Sequence, residues 1–185
     1  MNSEEDLDEL KIIEQYIILL LGVMDKPIPS TTHLQKELFF LSQANPIIRN
    51  FITFQKHYFG PYSDVVDDLS RNPVHFKDPF EYDKDDKFIL MENGKEIFKK
   101  LVDHNNANED FQKLLSAMKL ARKLYEKLTT DELLFLIYIT YGEYIEKSHK
   151  AKELLSERNR LKIAQRLLKK GVITKGRYLE LVESQ

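Results

Sequence analysis

The stretch Tyr58-Phe59-Gly60-Pro61-Tyr62-Ser63 constrains this chain more than any other. Gly60 admits backbone angles that other residues resist, Pro61 fixes φ and blocks a helix running into it, and Ser63 is placed to cap a helix that follows. The six residues therefore read as a rigid corner that opens a short helix over 64–71. Val65, Val66 and Leu69 face inward on that helix, and Asn72-Pro73 ends it.

Upstream, apolar residues at Leu10, Ile13, Ile17, Leu20, Leu21 and Met24 keep the i, i+3, i+4, i+7 rhythm, which predicts an amphipathic helix over 5–24. Its acidic opening suits the positive end of a helix dipole. Pro27 and Pro29 stop it, and Ser30 or Thr31 caps a second helix over 30–42. Asn45-Pro46 breaks that helix, and Ile47 to Phe54 suits a short helix or a strand. Downstream, Phe80-Glu81-Tyr82 and Phe88-Ile89-Leu90-Met91 flank a polar tetrad as a hairpin would, with Asn93-Gly94 closing it and starting a further helix. Helix, helix, short helix, hairpin, helix is a winged-helix-like order.

The polar run His104 to Asn108 predicts a boundary, with a winged-helix-like part over 1–104 and a helical part over 105–185, packed together. In the second part, Phe111, Leu114, Leu115, Met118, Ala121, Leu124, Tyr125 and Leu128 keep helical spacing. Thr129 and Glu132 form a capping box ahead of Leu133 to Ile139, apolar all round and so destined for a core. A charged helix from Ser148 or a neighbour runs to Gly171, and Thr174 caps a last short one. The predicted class is α+β, mostly α-helical.

With 185 residues, 42% of them hydrophobic and 31% charged, the chain is an ordinary globular one. It has no cysteine, which excludes disulfides, thiolate metal sites and cysteine nucleophiles and makes the cytoplasm the expected location. Its apolar run over 16–23 is too short to span a bilayer, so no membrane is expected. The net charge of −2 hides an asymmetry: 11 Lys or Arg lie over 147–177 beside only Glu153 and Glu157, whereas 64–87 carries eight acidic residues against four basic ones.

The helix with Leu34-Gln35-Lys36-Glu37-Leu38-Phe39-Phe40-Leu41, the Tyr58 to Ser63 corner, the strand from Phe88 and Asn93-Gly94-Lys95-Glu96 together resemble the phage-associated Panacea, or SocA-like, antitoxin domain and its YwgA-like relatives. Leu133 to Tyr138, Tyr141-Gly142-Glu143-Tyr144 and Ser148 look like a later helix of the YwgA-like group. The resemblance covers residues 10–150. It departs from the pattern at Gly142, where a proline is expected, and at Glu92-Asn93, where Thr or Ser is expected before the glycine. It implies an adaptor or antitoxin that binds a partner protein such as a toxin, or a transcriptional regulator. It implies no catalytic residue.

Two surfaces carry these expectations. Partner binding falls on Tyr58, Gly60, Pro61, Tyr62, Ser63, Asp64, Asp67 and Asp68. The three carboxylates argue against DNA at this helix, the one a winged helix would lay in a groove, because a polyanion needs cations. Tyr62 is equally a packing residue, and Tyr138 more so. The alternative is DNA, bound by a homodimer through Lys152, Arg158, Arg160, Lys162, Arg166, Lys169, Lys170, Lys175 and Arg177. The competing reading of that tail is a solvated helix face behind Leu154, Leu155, Leu161, Ala164 and Leu168.

No enzyme chemistry is predicted. The five histidines are scattered, no Gly-x-Ser-x-Gly elbow or phosphate loop occurs, and the Asp83-Asp85-Asp86 turn lacks the glycine and distal Glu of a calcium loop. No metal or cofactor is expected.

Overall fold

Six consecutive residues from Tyr16 to Leu21 are buried, which makes the first helix, α1 (Ser3–Gly22), central to the part of the molecule it belongs to. The computed structural model describes residues 3–183. The acidic opening Glu4 to Asp6 lies outside the residues whose side chains are described.

α2 (Thr31–Ala44) is capped by Ser30, whose Oγ accepts the His33 N–H at 3.3 Å. α3 (Pro46–Phe51) is capped by Asn45 and has Pro46 in its first turn, where the missing N–H costs nothing. The segment left open between helix and strand, Ile47 to Phe54, is thus helical where it is regular, and a first strand, β1 (Gln55–His57), begins only beyond it. It pairs antiparallel with β2 (Gly60–Tyr62). α4 (Asp64–Arg71), the hairpin of β3 (Phe80–Tyr82) and β4 (Phe88–Leu90), and α5 (Glu92–His104) come next. Ile28 adds a bridge to this second hairpin, exchanging both backbone bonds with Phe88 at 2.8 Å. α6 (Glu109–Tyr125), α7 (Thr130–Thr140), a 3-10 turn Gly142–Ile145, α8 (Ala151–Leu154), α9 (Glu157–Lys169) and α10 (Lys175–Glu183) complete the chain. The protein is α+β and mostly helical, as its periodicity predicts.

Two compact units result. The first is Met1–Phe54 with Ser63–Glu126, and the second is Gln55–Tyr62 with Lys127–Gln185. This differs from the boundary expected at 104/105. The polar run there is only an interhelix loop, in which Asn108 caps α6 by accepting the Asp110 and Phe111 N–H groups. α6 belongs to the first unit because Met118, Ala121 and Arg122 are buried in it, packed on α1 and α2.

Local readings shift in three places. Asn93 and Gly94 lie in the first turn of α5 rather than closing the hairpin, and a Cβ at Gly94 would run into the Pro79 carbonyl. Ser63 occupies the cap position of α4, but its hydroxyl makes no cap bond. The Gln35 amide instead takes both backbone groups of Ser63, at 2.9 and 3.0 Å. The expected single charged helix is two, because Ser156 Oγ and Asn159 Nδ2 both donate to the Glu153 carbonyl and interrupt the ladder between α8 and α9.

In the first unit, Glu14 is fully buried on α1 and its carboxylate accepts backbone N–H bonds from Val74, His75 and Phe76, fixing the loop after α4. In the second, α7 is the core: Leu133, Leu134, Phe135, Ile137 and Tyr138 are 2% exposed or less. Its capping box forms as its sequence predicts. β2, the 3-10 turn, α8 and α9 pack on it.

Candidate functional site

α9 forms because Ile163, Ala164 and Leu167 recur at helical spacing and are buried. Arg158, Lys162, Arg166 and Lys169 stand at i, i+4, i+8 and i+11 and all are exposed. At 3.6 residues per turn these four fall within about 80° of arc, a basic ridge about 16 Å long.

The other tail residues divide. Lys152 and Lys175 are exposed. Arg160 lies towards the buried side of α9, where its Nε is buried without a hydrogen-bond partner. Arg177 donates to Glu180 at 2.8 Å and to the Ile139 carbonyl. Lys170 is anchored: its ammonium meets Glu132 Oε2 at 2.6 Å and donates to the Lys127 carbonyl at 2.8 Å, while Lys127 donates back to the Lys170 carbonyl at 3.2 Å. Arg166 also reaches Glu132, at 3.2 Å, although half of its side chain stays in solvent.

Glu132 is therefore the fastening of the ridge. It is fully buried on α7 and accepts the Thr129 N–H at 2.8 Å as part of the capping box. Burial raises its pKa, but the Lys170 hydrogen bond, the Thr129 N–H and the charges of Lys170 and Arg166 outweigh that and hold the carboxyl below its usual range.

The corner residues are divided between the two units. Tyr58, Gly60, Pro61 and Tyr62 belong to the second unit, whereas Ser63, Asp64, Asp67 and Asp68 belong to the first. Gly60, Pro61 and Ser63 are buried. On α4, Asp64 and Asp68 are exposed, and Asp67 pairs with Arg71 at 3.1 Å.

In the second unit the corner is the tip of a hairpin. Gly60 has φ of 79°, the left-handed conformation that lets Tyr58 and Phe59 turn the chain between paired His57 and Gly60. Turn tips usually carry small or polar residues, yet Tyr58 is 51% and Phe59 46% exposed. A ladder of rings runs up the hairpin. Tyr62 stacks on His57 at 4.7 Å, His57 meets Tyr58 at 4.9 Å, and Tyr58 stacks on His149 at 4.3 Å with the planes 20° apart. The His149 N–H donates to the Tyr58 carbonyl and Lys56 pairs with Glu146 at 2.7 Å, so the strands are tied to the segment before α8.

His149 is one of five histidines scattered along the sequence, and nothing along the chain signals that it meets Tyr58. Tyr138 is a core residue, 2% exposed, its hydroxyl bonded to Ser148 Oγ at 2.5 Å, and burial pushes its pKa up. Asp83 Oδ1 accepts the Asp85 and Lys87 N–H groups, which accounts for the acidic turn as a self-bonded one.

Charge separates by unit. The second holds 13 Lys or Arg against 8 Asp or Glu, a formal +5, and the first holds 15 against 22, a formal −7. Among the described residues no three His, Asp or Glu are placed to hold a metal ion, and no helix is long and apolar enough to cross a membrane. No protein-family model, no curated protein and no solved structure matches the chain.

Proposed function

We propose that the protein is a non-enzymatic, cytoplasmic nucleic-acid-binding regulator that grips a phosphate backbone along α9. The observation that carries the reading is the ridge of Arg158, Lys162, Arg166 and Lys169, exposed together on one helix of the unit with the positive charge. Cations spaced one helical turn apart on a single face neutralise successive phosphates.

The test is an anisotropy titration of the whole protein against duplex and single-stranded DNA at low and moderate salt, beside a variant with Arg158→Glu, Lys162→Glu and Lys169→Glu. Arg166 and Lys170 are left alone because they hold Glu132. Three phosphate contacts, from Arg158, Lys162 and Lys169, give a log-log salt slope of about −2.7 on duplex and about −2.1 on single strands. Binding that is lost on charge reversal supports the reading; a protein that binds neither nucleic acid at low salt refutes it.

A second reading rests on α4. Asp64 and Asp68 are exposed on a helix of the negative unit, and the resemblance to the SocA-like antitoxin domain points to a partner protein there. On this reading the protein is an adaptor or antitoxin, and Asp64→Lys with Asp68→Lys abolishes capture of a basic partner from the native extract. Identical captured proteins in both forms would end it.

A further inference from the structure

We infer that the ring ladder of the β1–β2 hairpin is a stacking platform for unpaired bases, so that the nucleic acid held by the second unit is single-stranded. This rests on the nucleic-acid reading above and names its ligand class.

Three observations converge. The ladder is continuous, with neighbouring centroids 4.3 to 4.9 Å apart from Tyr62 through His57 and Tyr58 to His149. Its outer end is open to solvent, since Tyr58, Phe59 and His149 are all exposed. Two exposed lysines, Lys147 and Lys152, bracket His149 in sequence, beside the exposed Glu143, Glu146 and Glu153, of which Glu146 pairs with Lys56 and Glu153 with Lys150.

The turn itself does not need these rings. Gly60 supplies the left-handed residue, and Asn, Asp or Ser would serve at positions 58 and 59 without exposing apolar area. Two large exposed aromatics at the tip of a hairpin in the positively charged unit match what a single strand offers, because base faces are hidden in a duplex and bare in a strand. Stacking is indifferent to base identity, so the expected preference is for unpaired over paired and not for one sequence.

The experiment uses the whole protein with three probes: oligothymidine, an abasic deoxyribose-phosphate oligomer of the same length, and a mixed-sequence duplex. The chain has no tryptophan but nine tyrosines, so quenching of tyrosine emission is assigned to Tyr58 by its loss in the variants that lack that ring. The ladder variants are Tyr58→Ala with Phe59→Ala and, keeping apolar bulk while removing the rings, Tyr58→Leu with Phe59→Leu.

Oligothymidine is expected to bind at least about tenfold more tightly than the abasic oligomer and to quench tyrosine emission. Both ladder variants lose that tenfold while abasic binding stays unchanged. Equal affinity for the two oligomers, or ladder variants that bind oligothymidine as the parent does, overturns the platform; if charge reversal on α9 still abolishes binding in that case, the backbone-gripping role stands without it. Failure of all three probes at low salt removes both.

Discussion

Three glutamates are completely buried among the described residues, and two of them, Glu37 in the first unit and Glu132 in the second, have their pKa values moved in opposite directions by their company. In the second unit Glu132 meets Lys170, Arg166 and the Thr129 N–H. In the first, Glu37 on α2 meets one cation, the Arg122 guanidinium, at 3.5 Å, and feels the like charge of Glu126, and its Oε2 has no hydrogen-bond partner. Arg122 gives its better bonds to the Lys26 and Pro27 carbonyls, at 2.8 and 3.1 Å. Burial therefore pushes Glu37 up to about 8 in spite of Arg122, while Glu132 sits below its usual range. Each carboxylate leaves one oxygen without a hydrogen bond, Oε2 of Glu37 and Oε1 of Glu132, so the difference lies in the cations: two and a backbone N–H at Glu132, one at the limit of contact at Glu37. The first device holds down a basic helix and serves the surface; the second ties α6 to α2 and serves the core.

The largest effect is expected from Glu132→Leu. The change removes the side-chain half of the α7 capping box, leaving the Thr129 N–H without its acceptor, and leaves Lys170 and Arg166 without their anion. Both cations can return to water, so the loss is about 3 kcal/mol, below the top of the range for a sealed pair. Denaturant unfolding measures it. Glu132→Gln, which keeps an acceptor, should lose less; equal losses would show that charge has no part in the fastening.

The pH dependence sharpens the contrast. Glu132 has a depressed folded pKa, so its contribution is present above the unfolded value near 4.5 and fades as pH falls. Glu37 is raised to about 8, so its contribution is full below about 4.5 and is lost as pH rises through 8. Beside it Lys36, buried on α2, is lowered to about 7, so stability regained above 7 is its signature. In Glu37→Gln the decline between about pH 4.5 and 8 should vanish while the alkaline rise remains. An unchanged profile would mean that Glu37 is charged in the fold.

The same difference explains what could be read in the sequence. Periodicity placed α1, α2, α4, α6 and α7, since burying an apolar stripe is a local instruction. The Thr129 and Glu132 box was legible because cap and partner are three residues apart. Glu132 as the anchor of α9 was not, because Lys170 lies 38 residues downstream, and neither were Arg122 with Glu37 or Tyr58 with His149. Charge excess marked the tail, but only the helix face sorts Arg158, Lys162 and Lys169 from the Lys170 and Arg177 that the fold uses internally. The corner was legible as backbone geometry and illegible as a surface, since burial of Gly60, Pro61 and Ser63 depends on distant partners.

The corner carries the last two predictions, one from each unit. Gly60→Val places a β-branched residue at φ of 79°, and the melting temperature should fall by the equivalent of about 1 kcal/mol or more. Tyrosine emission should change as well if the ladder loosens with the turn; an unaltered melting temperature would show that the turn relaxes to a negative φ at no cost.

Ser63→Ala is the smallest effect and the sharper test of the distinction between satisfied and orphaned polar groups. A serine at a helix cap is ordinarily worth about 1 kcal/mol, because its oxygen fills an N–H at the helix start. Ser63 has the position without the bond: its Oγ is buried and has no hydrogen-bond partner, and Gln35 meets its backbone, which alanine retains. Removing a buried unpaired hydroxyl forfeits no interaction and ends a desolvation cost, so the variant should match or slightly exceed the parent in denaturant midpoint. Ser30→Ala, at the start of α2 where the hydroxyl does accept the His33 N–H, is the control and should lose about 1 kcal/mol. If the two alanines cost the same, cap position rather than the bond made there sets the stability of these helices.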